Sequence, residues 1–245
     1  MGRSDSPDSP ENVDASGTAP PLNLAEISTR WTSLQDPQRF AVRYSPAILA
    51  YLEAILKDPH LARDVAQDFF IHFVERGLPR ASRDRGRFRD YLKAAVRNAA
   101  LTEFRKRQRN QADPTVLASI PDEQEAAADA DMRRAWAAVM LEKLWRALDH
   151  HQRQNAGNYA YSVLKVSLEH AAEDSDQQAA RVSRIVGQPL NAAAFRKQRS
   201  RARALAAQIL LDEVRSTVAE PNEVEAELAD LQLLGLLRDY LTDRD

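Results

Sequence analysis

The residues of this chain best equipped for chemistry are two runs of cations, and that chemistry is electrostatic recognition rather than bond-making. Between residues 80 and 109, 11 Lys and Arg side chains stand against 3 Asp and Glu, a local charge of +8. Arg85, Arg87, Arg89, Lys93, Arg97, Asn98, Arg105, Lys106, Arg107 and Arg109 are the candidate nucleic-acid contacts there. Arg89, Lys93 and Arg97 recur at the pitch of one helical turn, so they can meet successive phosphates of a duplex or reach base edges. Residues 181–203 carry 7 basic and no acidic side chains, among them Arg196, Lys197, Arg199 and Arg203. On a helix Arg196, Arg199 and Arg203 share one face, as a recognition helix needs.

Acids are gathered just as strongly. Residues 113–131 hold 6 acidic and no basic side chains, and residues 212–245 hold 10 acidic and 3 basic, so a formal net charge of -2 conceals alternating blocks. Partners meet the blocks, not the average.

Catalytic and metal patterns are missing from the sequence. The histidines, His60, His72, His150, His151 and His170, form no HExxH spacing, and with no cysteine there is no zinc finger, thiolate or disulfide chemistry. The 7 glycines are scattered, without a phosphate-cradling loop or a nucleophile elbow. Asp64 and Asp68, four residues apart, could hold a metal only with a second ligand pair, so a surface role is the simpler reading; His72 reads as a helix-face or partly buried packing residue. The expectation is a non-enzymatic protein with no cofactor and no metal.

Helices must position these side chains. Pro46 sits where a helix can begin, followed by Ile48, Leu49, Leu52, Ile55 and Leu56 at helical spacing. Asp58-Pro59 ends that helix, and a second spans residues 61–76 with Val65, Phe69 and Phe73 on one face and Phe70 and Val74 beside it. After a charged loop, residues 87–108 form a long helix whose apolar stripe uses Phe88, Tyr91, Leu92, Ala95, Ala99 and Phe104, with the cations as an opposing ridge. Residues 110–131 read as an acidic linker containing Pro114 and Pro121, with room for a short helical piece. Helices follow over residues 131–149, 159–171 and 176–186. The last stops at Gly187, and Asn191 caps a long basic helix reaching residue 214, the outline of a helix-turn-helix. Val218, Val224, Leu228, Leu231, Leu234 and Leu237 then predict an acidic amphipathic helix, with Pro221 in its first turn. It could fold onto the basic helix or bind a partner.

The predicted fold is all-α, with no alternating strand pattern and no internal repeat. Its expected divisions are a disordered leader (1–24), a helical domain (25–110), an acidic linker (111–130), a helix-turn-helix domain (131–215) and an acidic C-terminal helix (216–245). No apolar run approaches the roughly 20 residues that cross a bilayer, and the expectation is a cytoplasmic protein with no membrane partner.

Residues 63–70, Arg-Asp-Val-Ala-Gln-Asp-Phe-Phe, with Gly86-Arg87-Phe88-Arg89-Asp90-Tyr91-Leu92, Val96-Arg97-Asn98 and Phe104-Arg105-Lys106-Arg107, resemble conserved region two of the extracytoplasmic function type of bacterial RNA polymerase sigma factor. Arg30-Trp31-Thr32, Arg201-Ala202-Arg203, Leu211-Asp212-Glu213-Val214 and Glu220-Pro221 resemble the sigma-like group abundant in planctomycetes. The resemblance implies that Asp64, Gln67, Asp68 and Phe70 grip the clamp helices of the largest subunit of core RNA polymerase. It implies that residues 88–109 and the preceding loop engage promoter DNA and its melted non-template strand, and that the helix carrying Arg196–Arg203 corresponds to region four. An anti-sigma or autoinhibitory contact is a further expectation. Composition and helical phase alone stop at a basic helical nucleic-acid binder. A DNA-binding regulator that never engages polymerase, and an adaptor whose basic patches meet acidic protein or RNA, remain open at this point.

Overall fold

The computed structural model describes residues 37–76, 87–110 and 120–241, and every described element is an α-helix or a connection between helices. The leader expected over residues 1–24, the loop with Arg85, and residues 111–119 of the acidic segment lie outside the described residues. In chain order the helices are α1 (Pro37–Leu56), α2 (Pro59–Arg76), α3 (Phe88–Asn110), α4 (Asp122–Gln154), α5 (Ala160–Glu169), α6 (Ser175–Val186), α7 (Ala192–Arg215), α8 (Glu223–Asp230) and α9 (Leu234–Leu241).

Pro46 does not open α1 but sits inside it. An interior proline costs about 3 kcal/mol. Phe40 and Tyr44, in the turns before it, are 1% and 4% exposed, and burying two such side chains returns about 1.5–3 kcal/mol each. The carbonyl that Pro46 leaves without a donor belongs to Val42, which is 80% exposed, so water can reach it. Asp58 separates α1 from α2 by capping: its Oδ1 accepts from the backbone N–H of His60 at 2.9 Å and Leu61 at 3.1 Å, with Pro59 in the first turn.

The acidic segment expected as a linker is helical from Asp122 onward and forms the first turns of α4. Asp122, Glu123 and Glu125 stand at its N-terminus, where the helix dipole favours negative charge. A row of Ala128, Met132, Trp136, Met140, Leu144 and Leu148, each four residues on, is buried. Alanines at 126–128 and 130, excellent helix formers, carry the helix across the charged stretch. α4 makes its most extensive packing with α1. Aromatic rings tie the first four helices together: Phe40 lies 4.0 Å from Phe73, and Tyr44 lies 5.3 Å from Phe88 and 4.8 Å from Trp136 between ring centroids.

α7 spans two cores. Its first turn puts Phe195 among Val163, Val166, Ala179 and Val182 of α5 and α6, while Ala207, Leu210, Leu211 and Val214 join the core of α1–α4. α6 is closed at both ends as the sequence anticipates. Asp174 and Gln177 form a reciprocal capping box, and Gly187 takes the left-handed conformation at φ 67°. Ser183 Oγ accepts from Leu190 N–H at 2.8 Å, and Asn191 caps α7 by accepting from Ala194 N–H at 2.8 Å.

The C-terminal acidic segment is two short helices, not one. Gln232 adopts a left-handed φ of 59°, and Leu233 N–H returns to Leu228 C=O at 2.8 Å, the Schellman geometry usually built on glycine. Leu231 and Leu233 are both buried. Two residues apart on a continuous helix they would point in nearly opposite directions, so the turn lets both reach the core.

Candidate polymerase and nucleic-acid surfaces

α2 presents Asp64, Gln67 and Asp68 to solvent, with Phe70 half-buried beside them. Phe70 lies 6.2 Å edge-on from Phe40. Next to Gln67 and Phe70, Ile71 and Val74 are 45% and 59% exposed and line a shallow apolar hollow of about 540 Å³ that extends to Leu49 of α1. Ile71 had no role in the sequence reading. Its signal was there: Phe69, Phe70, Ile71, Phe73 and Val74 are more apolar residues than one helix face can bury. His72 is exposed, with Nδ1 2.9 Å from the carbonyl of Asp68.

α3 is rotated from the expected phase. Its buried row is Phe88, Leu92, Val96 and Ala100, whereas Tyr91, Ala95 and Ala99 are half-buried along an open groove of about 570 Å³ shared with α2. Because residues 89, 93 and 97 directly follow the buried row, they fall at the seam with neighbouring helices. Over Arg89, Lys93 and Arg97 the anticipated free cations are therefore paired with carboxylates. Lys93 Nζ reaches Asp129 Oδ2 at 2.9 Å, and Arg97 Nε reaches Glu125 Oε1 at 2.9 Å, both acids belonging to α4. The reversed order of the partners follows from antiparallel helices.

Arg89 is only 5% exposed. Its Nε and Nη2 donate to the two carboxylate oxygens of Glu227, at 3.0 Å each, and Nη2 also reaches Asp230 Oδ2 at 2.9 Å. Arg87 donates to Asp90 at 2.9 Å and to Asp230 at 2.5 Å. Burial alone would lower both guanidinium pKa values, yet the carboxylates outweigh it and hold them above the ordinary arginine value. Burial likewise opposes ionisation of Asp230, and the two arginines overcome it, keeping that carboxyl below its usual range. Glu227 is fully buried. The acidic C-terminal segment thus folds onto the start of α3, with Phe88 N–H also donating to Thr217 C=O at 2.8 Å.

Further along α3 the cations emerge. Asn98, Arg105, Lys106, Arg107 and Arg109 are exposed. Glu103 pairs with Arg107 at 3.1 Å and with Lys106 at 3.7 Å, whereas Arg105 and Arg109 have no ion pair among the described residues. On α7, Arg196, Lys197, Arg201 and Arg203 are exposed, and Arg199 lies over the Phe195 ring at 5.6 Å. None of these five has an ion pair among the described residues.

A carboxylate on α7 joins its second half to the first helices. Glu213, 6% exposed, pairs with both Arg43 of α1 and Lys143 of α4. Burial, with Arg43 alongside, pushes the Lys143 ammonium down to about 6. Among the described residues no cluster of His, Asp and Glu could hold a metal ion, and no helix is long and apolar enough to cross a membrane.

Residues 40–110 match the family described as Sigma-70 region 2. The match runs from the first buried aromatic of α1 to the end of α3, so these three helices are what the chain shares with that family, and α4 to α9 lie outside the match. No curated protein and no solved structure matches the chain.

Proposed function

We propose that this chain is a sigma factor, of the extracytoplasmic function type, which binds core RNA polymerase and promoter DNA to direct transcription initiation. Asp64, Gln67, Asp68 and Phe70 meet the clamp helices of the largest subunit, with Ile71 and Val74 adding apolar area. The observation that carries the reading is the coincidence of the region 2 match with a solvent-facing acidic and apolar surface on α2.

Promoter DNA is held by the cations of α3, and the half-buried aromatics of the α2–α3 groove, Phe69 and Tyr91, offer stacking surfaces for the melted non-template strand. Arg105 and Arg109 are immediately available to phosphates; Arg89, Lys93 and Arg97 are available only after leaving their carboxylates. α7 serves as the second, upstream DNA contact, with Arg196, Lys197, Arg199 and Arg203 on the helix that follows the α6–α7 turn. The polymerase performs all covalent chemistry.

The test is capture by purified core polymerase followed by run-off transcription from the region upstream of the protein's own gene. Asp64→Lys with Asp68→Lys, both at exposed positions, is expected to weaken capture by at least about tenfold, equivalent to 1.4 kcal/mol, without lowering the thermal midpoint. Failure of the unaltered chain to bind, or binding indifferent to the double substitution, rejects the reading.

A further inference from the structure

We infer that α8 is a built-in competitor for nucleic acid at the start of α3, with Glu227 and Asp230 occupying the places of phosphate groups on Arg89 and Arg87. The inference rests on the proposed DNA-binding role of α3 and adds to it a regulatory contact made within the chain.

The geometry of the contact has the form of phosphate recognition. A guanidinium meets a phosphate through two parallel N–H donors, and Arg89 meets Glu227 in that way, Nε and Nη2 each at 3.0 Å from a different oxygen. Asp230 then bridges Arg89 at 2.9 Å and Arg87 at 2.5 Å. Two acids three residues apart on α8 thereby satisfy two cations two residues apart at the start of α3. A duplex approaching this end of α3 finds the guanidiniums occupied and a carboxylate edge, Asp230 with Asp90, facing it.

The contact is also placed where it can open. α8 has eight residues, follows a connection of turns, and ends at the left-handed Gln232. Among the described elements its recurrent packing is with α7 and α9, and its apolar anchors are Val224 and Leu228. A short helix held by few side chains belongs to the part of a structure that opens locally at less cost than global unfolding. Glu227 holds it closed from beneath, and Asp230, whose side chain is 43% exposed, is the edge that solvent and salt reach first.

The charge change alone must be separated from the contact. Glu225 is on the same helix, exposed, and has no ion pair among the described residues. Glu225→Gln therefore alters net charge as Asp230→Asn does but leaves Arg87 and Arg89 paired.

The experiment uses the full chain and a fluorescent DNA duplex, titrated by anisotropy from about 50 to 200 mM salt, where phosphate contacts are most visible. Asp230→Asn is expected to tighten binding about five- to tenfold at 100 mM salt, Glu225→Gln by less than about twofold. Adding Arg87→Gln to Asp230→Asn should return the affinity to that of the unaltered chain. Hydrogen exchange of the unaltered chain supplies a second readout free of substitutions: amides 223–230 should lose protection when duplex is added. Equal gains from Asp230→Asn and Glu225→Gln overturn the competitor role while leaving DNA binding intact, as does unchanged protection of α8 in the DNA complex. Absence of salt-sensitive binding in every variant rejects the DNA-binding reading itself, and the competitor with it.

Discussion

On the first basic helix Arg89, Lys93 and Arg97, with Arg87 just before it, each meet a carboxylate, whereas on α7 Arg196, Lys197, Arg201 and Arg203 face solvent with no ion pair among the described residues. The two regions look alike in composition. They differ in what surrounds them. α3 packs on α1 and α2, and side chains of α4 and α8 reach across to it, so cations beside its buried row are drawn out of water and need counter-charges. The basic stretch of α7 buries Phe195 and Ala202 and leaves the positions between them outside, where an unpaired charge is hydrated at no such cost. A cation's presence on a helix therefore says less about its partner than the burial of its neighbours does.

The sharpest way to break this comparison is at Arg89. Arg89→Ala leaves the buried carboxyl group of Glu227 without its bidentate partner, and is expected to cost roughly 3–5 kcal/mol, lowering the thermal midpoint by about 6–20 °C in a chain of this size. Arg196→Ala in the same measurement should leave the midpoint unchanged. Equal responses would remove the distinction between paired and free cations.

DNA titration should order the two regions the other way. Arg196→Ala with Arg203→Ala is expected to reduce duplex affinity by about tenfold at 100 mM salt and to make the slope of log affinity against log salt shallower by about 1.8, two phosphate contacts' worth. Lys93→Met is expected to change that slope by less than one contact. A larger loss from Lys93→Met than from the α7 pair would place promoter contact back on the middle of α3.

A smaller effect concerns the α3–α4 seam. A double-mutant cycle on Lys93 and Asp129, whose side chains are 31% and 21% exposed, should return a coupling of about 0.5–1 kcal/mol, because solvent still screens the pair. The smallest is pH dependence at Asp230. Its folded pKa lies below the ordinary value, so its stabilisation is complete above the unfolded carboxylate pKa of about 3.9 and drains only as pH falls through the lower folded value. The midpoint difference between the unaltered chain and Asp230→Asn should stay constant from pH 8 to 5 and shrink below about pH 4.

Much of the fold was legible where a local signal fixes a local outcome. Asp58-Pro59, Gly187 and Asn191 mark helix ends because caps and left-handed turns depend on a few adjacent residues. The row Trp136, Met140, Leu144 and Leu148 marked the buried side of α4. Three features were less legible. Pro46 reads as a start, but burial of Phe40 and Tyr44 extends α1 past it. Glu123 through Asp131 read as a linker, since charge and flanking prolines outweighed the alanines, yet their phase continues that of the apolar row behind them. Leu228, Leu231, Leu234 and Leu237 read as one helical stripe, yet the core takes Leu233 beside Leu231 through a turn.

By itself, the sequence determined that the chain is helical, that its charges fall into blocks, and that residues 61–109 carry the sigma-like pattern, since periodicity, capping and motif are properties of neighbouring residues. Which block meets which was decided by tertiary structure. Lys93 and Arg97 find Asp129 and Glu125 across an antiparallel seam. That register continued by one turn offers Arg89 only Arg133, another cation, so its acid comes from Glu227, 138 residues away along the chain. Pair energies depend on separation in space and on exclusion of water, and neither is written in the order of residues.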